Sequence, residues 1–252
     1  MPRPRLAFSH WPAAIYAIGD VHGCIDQLRQ LEDAIAADAD QFEGEKWLVT
    51  LGDYVDRGPD SRAVVAHVMG PPPKGMKRFA LGGNHEQILL DFAENPAAHA
   101  FWLEEGGVQT LASYGIALDY PPLRSQQAVR DLLRDRLPAD HLAFMAGLPS
   151  ILTLPGWVFV HAGIRPGIAM AHQTDEDLMW IRAPFLTSQL TAGVRVVHGH
   201  TPSPDIVVTP HRIGIDTHCF HTGKLSAVRV TPDGHPHYLE VRGESSGWVR
   251  KR

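Results

Sequence analysis

Five short segments of this chain carry side chains able to do chemistry, and each follows an apolar run. They are Gly19-Asp20-Val21-His22-Gly23, Gly52-Asp53-Tyr54-Val55-Asp56-Arg57-Gly58, Gly83-Asn84-His85-Glu86, His161-Ala162-Gly163 and Gly199-His200-Thr201-Pro202. One histidine at a strand end is ordinarily a packed structural residue. Five coincident cases, all offering oxygen or nitrogen and none offering sulfur, point instead to a shared ligand. Carboxylate, amide and imidazole donors in one set suit Mn, Fe or Zn ions. The absence of cysteine from these segments argues against a structural thiolate zinc site. Six or more donors exceed what one tetrahedral ion needs. Two ions roughly 3.5–4 Å apart, sharing one carboxylate, use them all, and Asp53, in the middle segment, is best placed to be shared.

Donors scattered along a chain need a scaffold that returns them to one edge. Ala14–Ile18 reads as a strand, and Ile25, Leu28, Leu31 and Ile35 recur at helical spacing, predicting a helix over Ile25–Ala37. Trp47–Leu51 is a second strand. Asp60 or Ser61 can cap a helix running to about Met69, stopped by Gly70-Pro71-Pro72-Pro73. Lys77–Leu81 is a third strand, and Leu89, Leu90 and Phe92 suggest a helix after it. Asp20 to Asp53 is 33 residues and Asp53 to Asn84 is 31, where a strand–helix–strand unit needs roughly 30. The first third therefore reads as consecutive βαβ units whose loops share one edge of a parallel sheet, the edge where open α/β sheets bind ligands.

Strands Gly156–Val160 and Val194–Val197 deliver His161 and His200 in the same way. His198, two residues before His200, would face the same side on a strand and is read as supporting or structural. Ile206–Val208, Ile213–Ile215 and Leu225–Val230 fit antiparallel strands. Residues 97–147 are expected to be a mostly helical insertion, with Pro138 in the first turn of a helix through Phe144. No catalytic cluster is legible there, and the segment is read as cover for the sheet ahead of the alternative, a lid or wall over the site. No repeat or linker divides the chain, so residues 1–252 are expected to be one domain.

Composition limits the partners. A net charge of -5 over 252 residues leaves no electrostatic footprint for nucleic acid, and no basic run marks a membrane surface. An acidic chain that binds phosphate must build positive charge locally, and metal ions are one means. The two cysteines, Cys24 and Cys219, make no disulfide framework and fit a reducing cytosol. Met1–Trp11 lacks a basic region leading into a long apolar one, and Ala13–Ile18 is too short for a signal peptide or a span. The expected location is cytoplasmic, with neither nucleic acid nor membrane as partner.

The Asp20/His22, Asp53/Asp56/Arg57 and Asn84/His85 segments resemble, in order and spacing, the three signature blocks of the phosphoprotein phosphatase family of calcineurin-like metallophosphoesterases. The His161 and His200 segments resemble its two later histidine blocks. Within the family the chain looks most like the compact bacterial and bacteriophage-type serine/threonine protein phosphatases. The resemblance implies an α/β fold: a β-sandwich of mixed sheets flanked by helices in four αββα layers. It implies that Asp20, His22 and Asp53 hold one divalent ion, and that Asp53, Asn84, His161 and His200 hold another. Both would be Mn2+, with Fe or Zn as alternatives. Asp56 would orient His85, the general acid; Arg57 with Asn84 would bind phosphate oxygens, and Arg182 resembles a second phosphate-binding arginine.

The implied reaction is metal-dependent phosphomonoester hydrolysis on phosphoserine and phosphothreonine of proteins or peptides. A bridging hydroxide would attack phosphorus in line, without a phosphoenzyme. The alternative is a diadenosine tetraphosphate or other nucleotide hydrolase using the same metals. In the resembling family that branch tends to have Ala where Asp56 stands and Asp where Glu86 stands, so this chain leans to the protein-phosphatase branch. An inactive scaffold is the third reading, disfavoured because every ligand position and the Asp56–His85 pair are filled. One segment departs from the pattern: after Ile215-Asp216-Thr217 the family usually has glycine, and here stands His218, with Cys219 beside it.

Overall fold

The computed structural model describes residues 2–117, 126–189 and 193–245. Residues 118–125 of the expected 97–147 insertion therefore lie outside the described residues. In chain order the strands are β1 (Arg5–Ala7), β2 (Ala14–Ile18), β3 (Lys46–Thr50), β4 (Met76–Ala80), β5 (Ile151–Leu154), β6 (Trp157–Val160), β7 (Arg195–His198), β8 (Val207–Val208), β9 (Arg212–Gly214), β10 (Lys224–Val230) and β11 (Pro236–Arg242). The α-helices are α1 (Ile25–Ala39), α2 (Ser61–Met69), α3 (Asn84–Glu94), α4 (Gly107–Ser113), α5 (Gln126–Arg136), α6 (Ala139–Gly147), α7 (Asp175–Trp180) and α8 (Cys219–Thr222). None is long and apolar enough to cross a membrane among the described residues.

The strands form two mixed sheets, in orders β11-β10-β2-β3-β4 and β1-β5-β6-β7-β9-β8. In the first, β2, β3 and β4 run parallel, with Ile18 opposite Thr50 and Thr50 opposite Ala80. In the second, β6, β7 and β9 run parallel. Alternation along the strands explains the continuous apolar runs. Ile15, Ala17, Trp47 and Val49 face Leu152, Phe159, Val197 and Ile213 between the sheets. Ala14, Tyr16, Ile18 and Leu48 point the other way, onto Leu28, Leu31 and Ile35 of α1, Val64 and Val65 of α2, and Phe92 of α3. A strand buried on both faces has no polar side to show. On the far side of the second sheet, Val158, Val160 and Val196 pack on Leu178, Ile181 and Phe185. That gives the expected four layers, the fourth a thin one built on α7.

The structure adds β1, β5 and β11 to the strands read from sequence. The three residues of β1 pair in parallel with β5 at the sheet's edge, too short a run for any periodicity to register. Asp60 caps α2, its Oδ1 accepting from Ala63 N at 2.9 Å. Pro138 precedes α6 as its N-cap, one place earlier than expected, and the helix runs past Phe144 to Gly147.

Candidate metal centre and active site

The five chemical segments leave parallel strands at one end of the sandwich, and short hydrogen bonds stitch them together. Leu51 N donates to Ile18 O at 3.0 Å, Leu81 N to Thr50 O at 2.9 Å and Gly199 N to His161 O at 2.7 Å. The chain must then double back to aim neighbouring side chains inward. Six non-glycine residues among those described have left-handed backbones: His22, Asp53, Asp56, Arg57, His200 and His218, with φ between 44° and 74°. All six lie in the segments around this cleft. Each such residue costs about 1–2 kcal/mol, and strain of this kind persists where the surroundings over-determine it. Glycine supplies the tightest approaches. Gly52 has φ 102°, and a Cβ there would collide with the Gly83 backbone; a Cβ on Gly199 would collide with the Asp20 carboxylate.

Glu86 holds the middle of this arrangement. It is fully buried in the first turn of α3, and its carboxylate accepts from the backbone N–H groups of Gly83 (2.9 Å), Asp53 (2.9 Å), Tyr54 (2.7 Å) and Val55 (3.3 Å). One side chain thus ties the β3 loop to the β4 loop. Glu86→Ala would orphan four buried donors. We expect it to lose about 3 kcal/mol or more of stability in denaturant unfolding; a loss under about 1 kcal/mol would remove Glu86 from this role.

The donor atoms form two groups that meet at Asp53. His22, Asp53 and His85 make one, and Asp53, His161 and His200 the other; both are buried and spaced to hold a metal ion. Asp53 Oδ2 lies 3.5 Å from His22 Nε2 and 4.0 Å from His85 Nε2, while Oδ1 lies 3.4 Å from His161 Nε2. Asn84, the first residue of α3, places Oδ1 2.8 Å from His161 Nε2 and 2.9 Å from His200 Nδ1. Asp20 stands outside both three-residue groups. Its carboxylate accepts from His200 N at 3.0 and 3.2 Å and so joins the first strand loop to the last.

Hydrogen bonds fix which ring nitrogens carry protons. His161 Nδ1 donates to Leu51 O at 3.0 Å and His22 Nδ1 to Val55 O at 2.8 Å. Each Nε2 therefore presents a lone pair, the arrangement that prepares an imidazole for a metal. His161 Nε2 then faces the oxygens of Asn84 and Asp53, lone pair against lone pair. His200 Nε2 is buried with no hydrogen-bond partner. The donors nearby are few: His85 N gives one N–H to Asp53 Oδ1 at 3.1 Å, and His200 Nδ1 can give one to Asn84 Oδ1 at 2.9 Å, which leaves His200 Nε2 a bare lone pair. Convergent acceptors with so few donors are costly in a protein interior, and a cation relieves them. On the His22 side a cation is already supplied: Arg57 donates from NH1 to His22 Nε2 (2.9 Å) and from NH2 to His85 Nε2 (2.8 Å). The residues present fit divalent ions.

Electrostatics agree. Burial holds His22, His161 and His200 below the ordinary imidazole value, in the neutral form that binds metal; Arg57 adds to the effect at His22. Burial alone would raise Asp53; positive charge at the positions of the His161, His85 and His22 rings is what holds it below the usual carboxylate range. Asp20 is pushed well up by burial and then by Asp216 and Asp53. Three carboxylates crowded together call for compensating positive charge.

His85 lies beside this centre with its Nδ1 2.6 Å from Asp56 Oδ2. Asp56 is fully buried and also accepts from Trp102 Nε1 at 2.8 Å and Thr110 Oγ1 at 2.6 Å. These two partners come from the 97–147 segment, which is therefore more than cover. Burial disfavours the charged His85 ring, but Asp53 and the Asp56 hydrogen bond outweigh it and raise the pKa. The Arg57 N–H aimed at Nε2 needs that nitrogen's lone pair, so in this arrangement the His85 proton sits on Nδ1. Arg182 lines the cleft, with NH2 3.4 Å from His200 O. His218 also lines it, its ring against Phe220 at 4.5 Å between centroids. His198 turns away: its ring packs on Phe185 at 5.1 Å and its Nε2 accepts from Arg212 at 3.3 Å. His200 lies beyond β7 with a left-handed backbone, so strand alternation does not relate the two histidines.

A buried site of this kind, set between two mixed sheets, belongs to a metal-dependent hydrolase of phosphate esters. The chain is a member of the calcineurin-like phosphoesterase family, whose model matches residues 13–238. It is 25% identical over 262 residues to a symmetrical bis(5'-nucleosyl)-tetraphosphatase of Dechloromonas aromatica, covering 86% of this chain and 92% of that one. It is 33% identical over 103 residues to serine/threonine-protein phosphatase 1 of Salmonella typhimurium, covering 41% of this chain and 43% of that one. A crystal structure described as a putative diadenosine tetraphosphatase superposes with a TM-score of 0.63 at 22% identity, covering 94% of this chain and 97% of the other. At that identity the likeness establishes the fold alone.

Proposed function

We propose that this phosphoesterase hydrolyses dinucleoside polyphosphates. The reading is carried by one observation: two buried groups of atoms spaced to hold a metal ion meet on the opposite oxygens of Asp53, in a cleft lined by Arg57 and Arg182. The substrate class follows the full-length likeness to a symmetrical bis(5'-nucleosyl)-tetraphosphatase. Asp20, His22 and Asp53 would hold one divalent ion and Asp53, Asn84, His161 and His200 another, Mn2+ first with Fe or Zn as alternatives. Such ions supply Lewis acidity that activates water and offsets phosphoryl charge.

The chain's own residues do the rest. Arg57 swings from the two imidazoles to grip phosphate oxygens, with Arg182 also lining the cleft, so charge developing on the phosphoryl oxygens is met by guanidinium groups. Its departure frees His85 Nε2, which the carboxylates of Asp53 and Asp56 then favour in the protonated form. Asp56, locked by Trp102 and Thr110, keeps the ring turned toward the cleft, and His85 gives its proton to the leaving oxygen.

The phosphoprotein phosphatase reading stands second. It is favoured by Asp56 and Glu86, which match that branch, and by the partial likeness to a serine/threonine phosphatase. The comparison of kcat/KM on diadenosine tetraphosphate, a phosphoserine peptide and a phosphotyrosine peptide, with one Mn-loaded sample, decides between them. The dinucleotide should lead by at least about 10-fold, the discrimination a modest set of extra contacts supplies; a lead for the phosphoserine peptide would restore the second reading. Chelation should abolish turnover on all three and Mn should restore it. Full activity after exhaustive metal removal would contradict both readings.

A further inference from the structure

The cleft is larger than a phosphoryl group requires. Its volume is about 530 Å3, and Arg57, Asn84, His85 and Arg182 suffice to meet phosphate at its floor. The remaining lining includes Phe101 and Trp180. Among the described residues three aromatic side chains are strongly exposed: Phe101 (51%), Trp180 (41%) and Tyr238 (36%). Two of the three line this one cleft. Large apolar side chains scattered singly on a surface need no explanation, but two converging on a polar site indicate a ligand with apolar faces.

Both side chains are held on rigid backbone. Trp180 closes α7 between buried Met179 and buried Ile181. Phe101 sits in a 3₁₀ turn (Ala100–Leu103) followed by buried Trp102 and Leu103. They also stand at opposite ends of the centre. The Trp180 ring lies 6.3 Å from that of His200, in the group on one side of Asp53. Phe101 adjoins Trp102, which donates to Asp56, the partner of His85 on the other side.

We propose that Trp180 and Phe101 are stacking platforms for the two nucleobases of a dinucleoside polyphosphate, Trp180 taking the base on the His200 side. An aromatic ring at each end of a phosphate-binding floor matches a ligand with a base at each end of a phosphate chain. Stacking tolerates any base, since every base has a π face. The assignment rests on the substrate reading above, and the test separates the two.

The dissociation constants of ADP and of pyrophosphate for the Mn-loaded full chain are to be measured by calorimetry, in wild type, Trp180→Ala and Trp180→Phe. Trp180→Ala should weaken ADP by about 5- to 150-fold, the usual worth of one stacked base. Pyrophosphate should shift by less than about 3-fold, and Trp180→Phe should recover most of the ADP affinity. The Phe101→Ala, Trp180→Ala double variant should raise KM for diadenosine tetraphosphate beyond either single variant. Equal losses for ADP and pyrophosphate, or none for ADP, would overturn the platform. If wild type prefers the phosphoserine peptide while Trp180→Ala still loses ADP selectively, the substrate reading falls and the base site stands. If wild type prefers the dinucleotide while ADP binding ignores Trp180, the reverse holds.

Discussion

Replacing Asp53 with asparagine should weaken both cation positions at once. The carboxylate presents Oδ1 to His161 and Oδ2 to His22 and His85. An amide keeps one oxygen, turns the other into an N–H2 donor and removes the negative charge from both sides. Loss of a merely supporting residue already weakens metal binding roughly 10- to 100-fold; a shared ligand should exceed that at each position. Bound Mn should fall from two per chain to one or none, with turnover down on the order of 10³-fold, the scale of a lost transition-state stabiliser. A second readout separates this from general damage. Without metal, the new amide donates to lone pairs that otherwise face one another, so metal-free Asp53→Asn should unfold at a higher temperature than metal-free wild type. Two ions retained at wild-type affinity would contradict a shared carboxylate.

His85→Asn should have the next largest effect, and its size should depend on the leaving group. Asparagine leaves Asp56 an amide partner but cannot deliver a proton from Nε2. A general acid is worth about 100- to 10,000-fold, and the full factor should appear on an alkyl phosphate, whose alkoxide is a strong base. A nucleotide leaving from a dinucleoside polyphosphate is a far weaker base and should need His85 less. Near-normal turnover of the variant on an alkyl phosphate would remove His85 from the role.

How far the sequence could be read followed from where the information lies along it. Strands β2 and β3 were legible because burial on both faces makes Ala14–Ile18 and the Trp47–Val49 centre of β3 continuous apolar runs. The five chemical segments were legible because each donor set sits directly after such a run, next to glycine. The two partners of Asp56 were not. Trp102 and Thr110 reach it across 46 and 54 residues, and a tryptophan between Phe101 and Leu103 reads locally as core. The nearest available signal was the Gly106-Gly107 pair: Gly106 has φ 114° and its carbonyl accepts from Arg57 N at 3.3 Å, a close approach that only glycine permits. Alternation would have put His198 beside His200, but it holds within a strand and fails at a left-handed residue; the reading of His198 as supporting or structural agrees with its packing on Phe185. The platforms were invisible for a further reason: exposure is a property of the surface, and Phe101 and Trp180 sit in sequence among residues that are buried.

The central claim is spatial, and anomalous diffraction from crystals grown with Mn2+ tests it most directly. Two peaks are expected on either side of the Asp53 carboxylate, one toward Asp20 and His22 and one toward Asn84, His161 and His200, with Arg57 moved off the His22 ring. A single peak, or peaks that leave Asp53 without a metal neighbour, would contradict it.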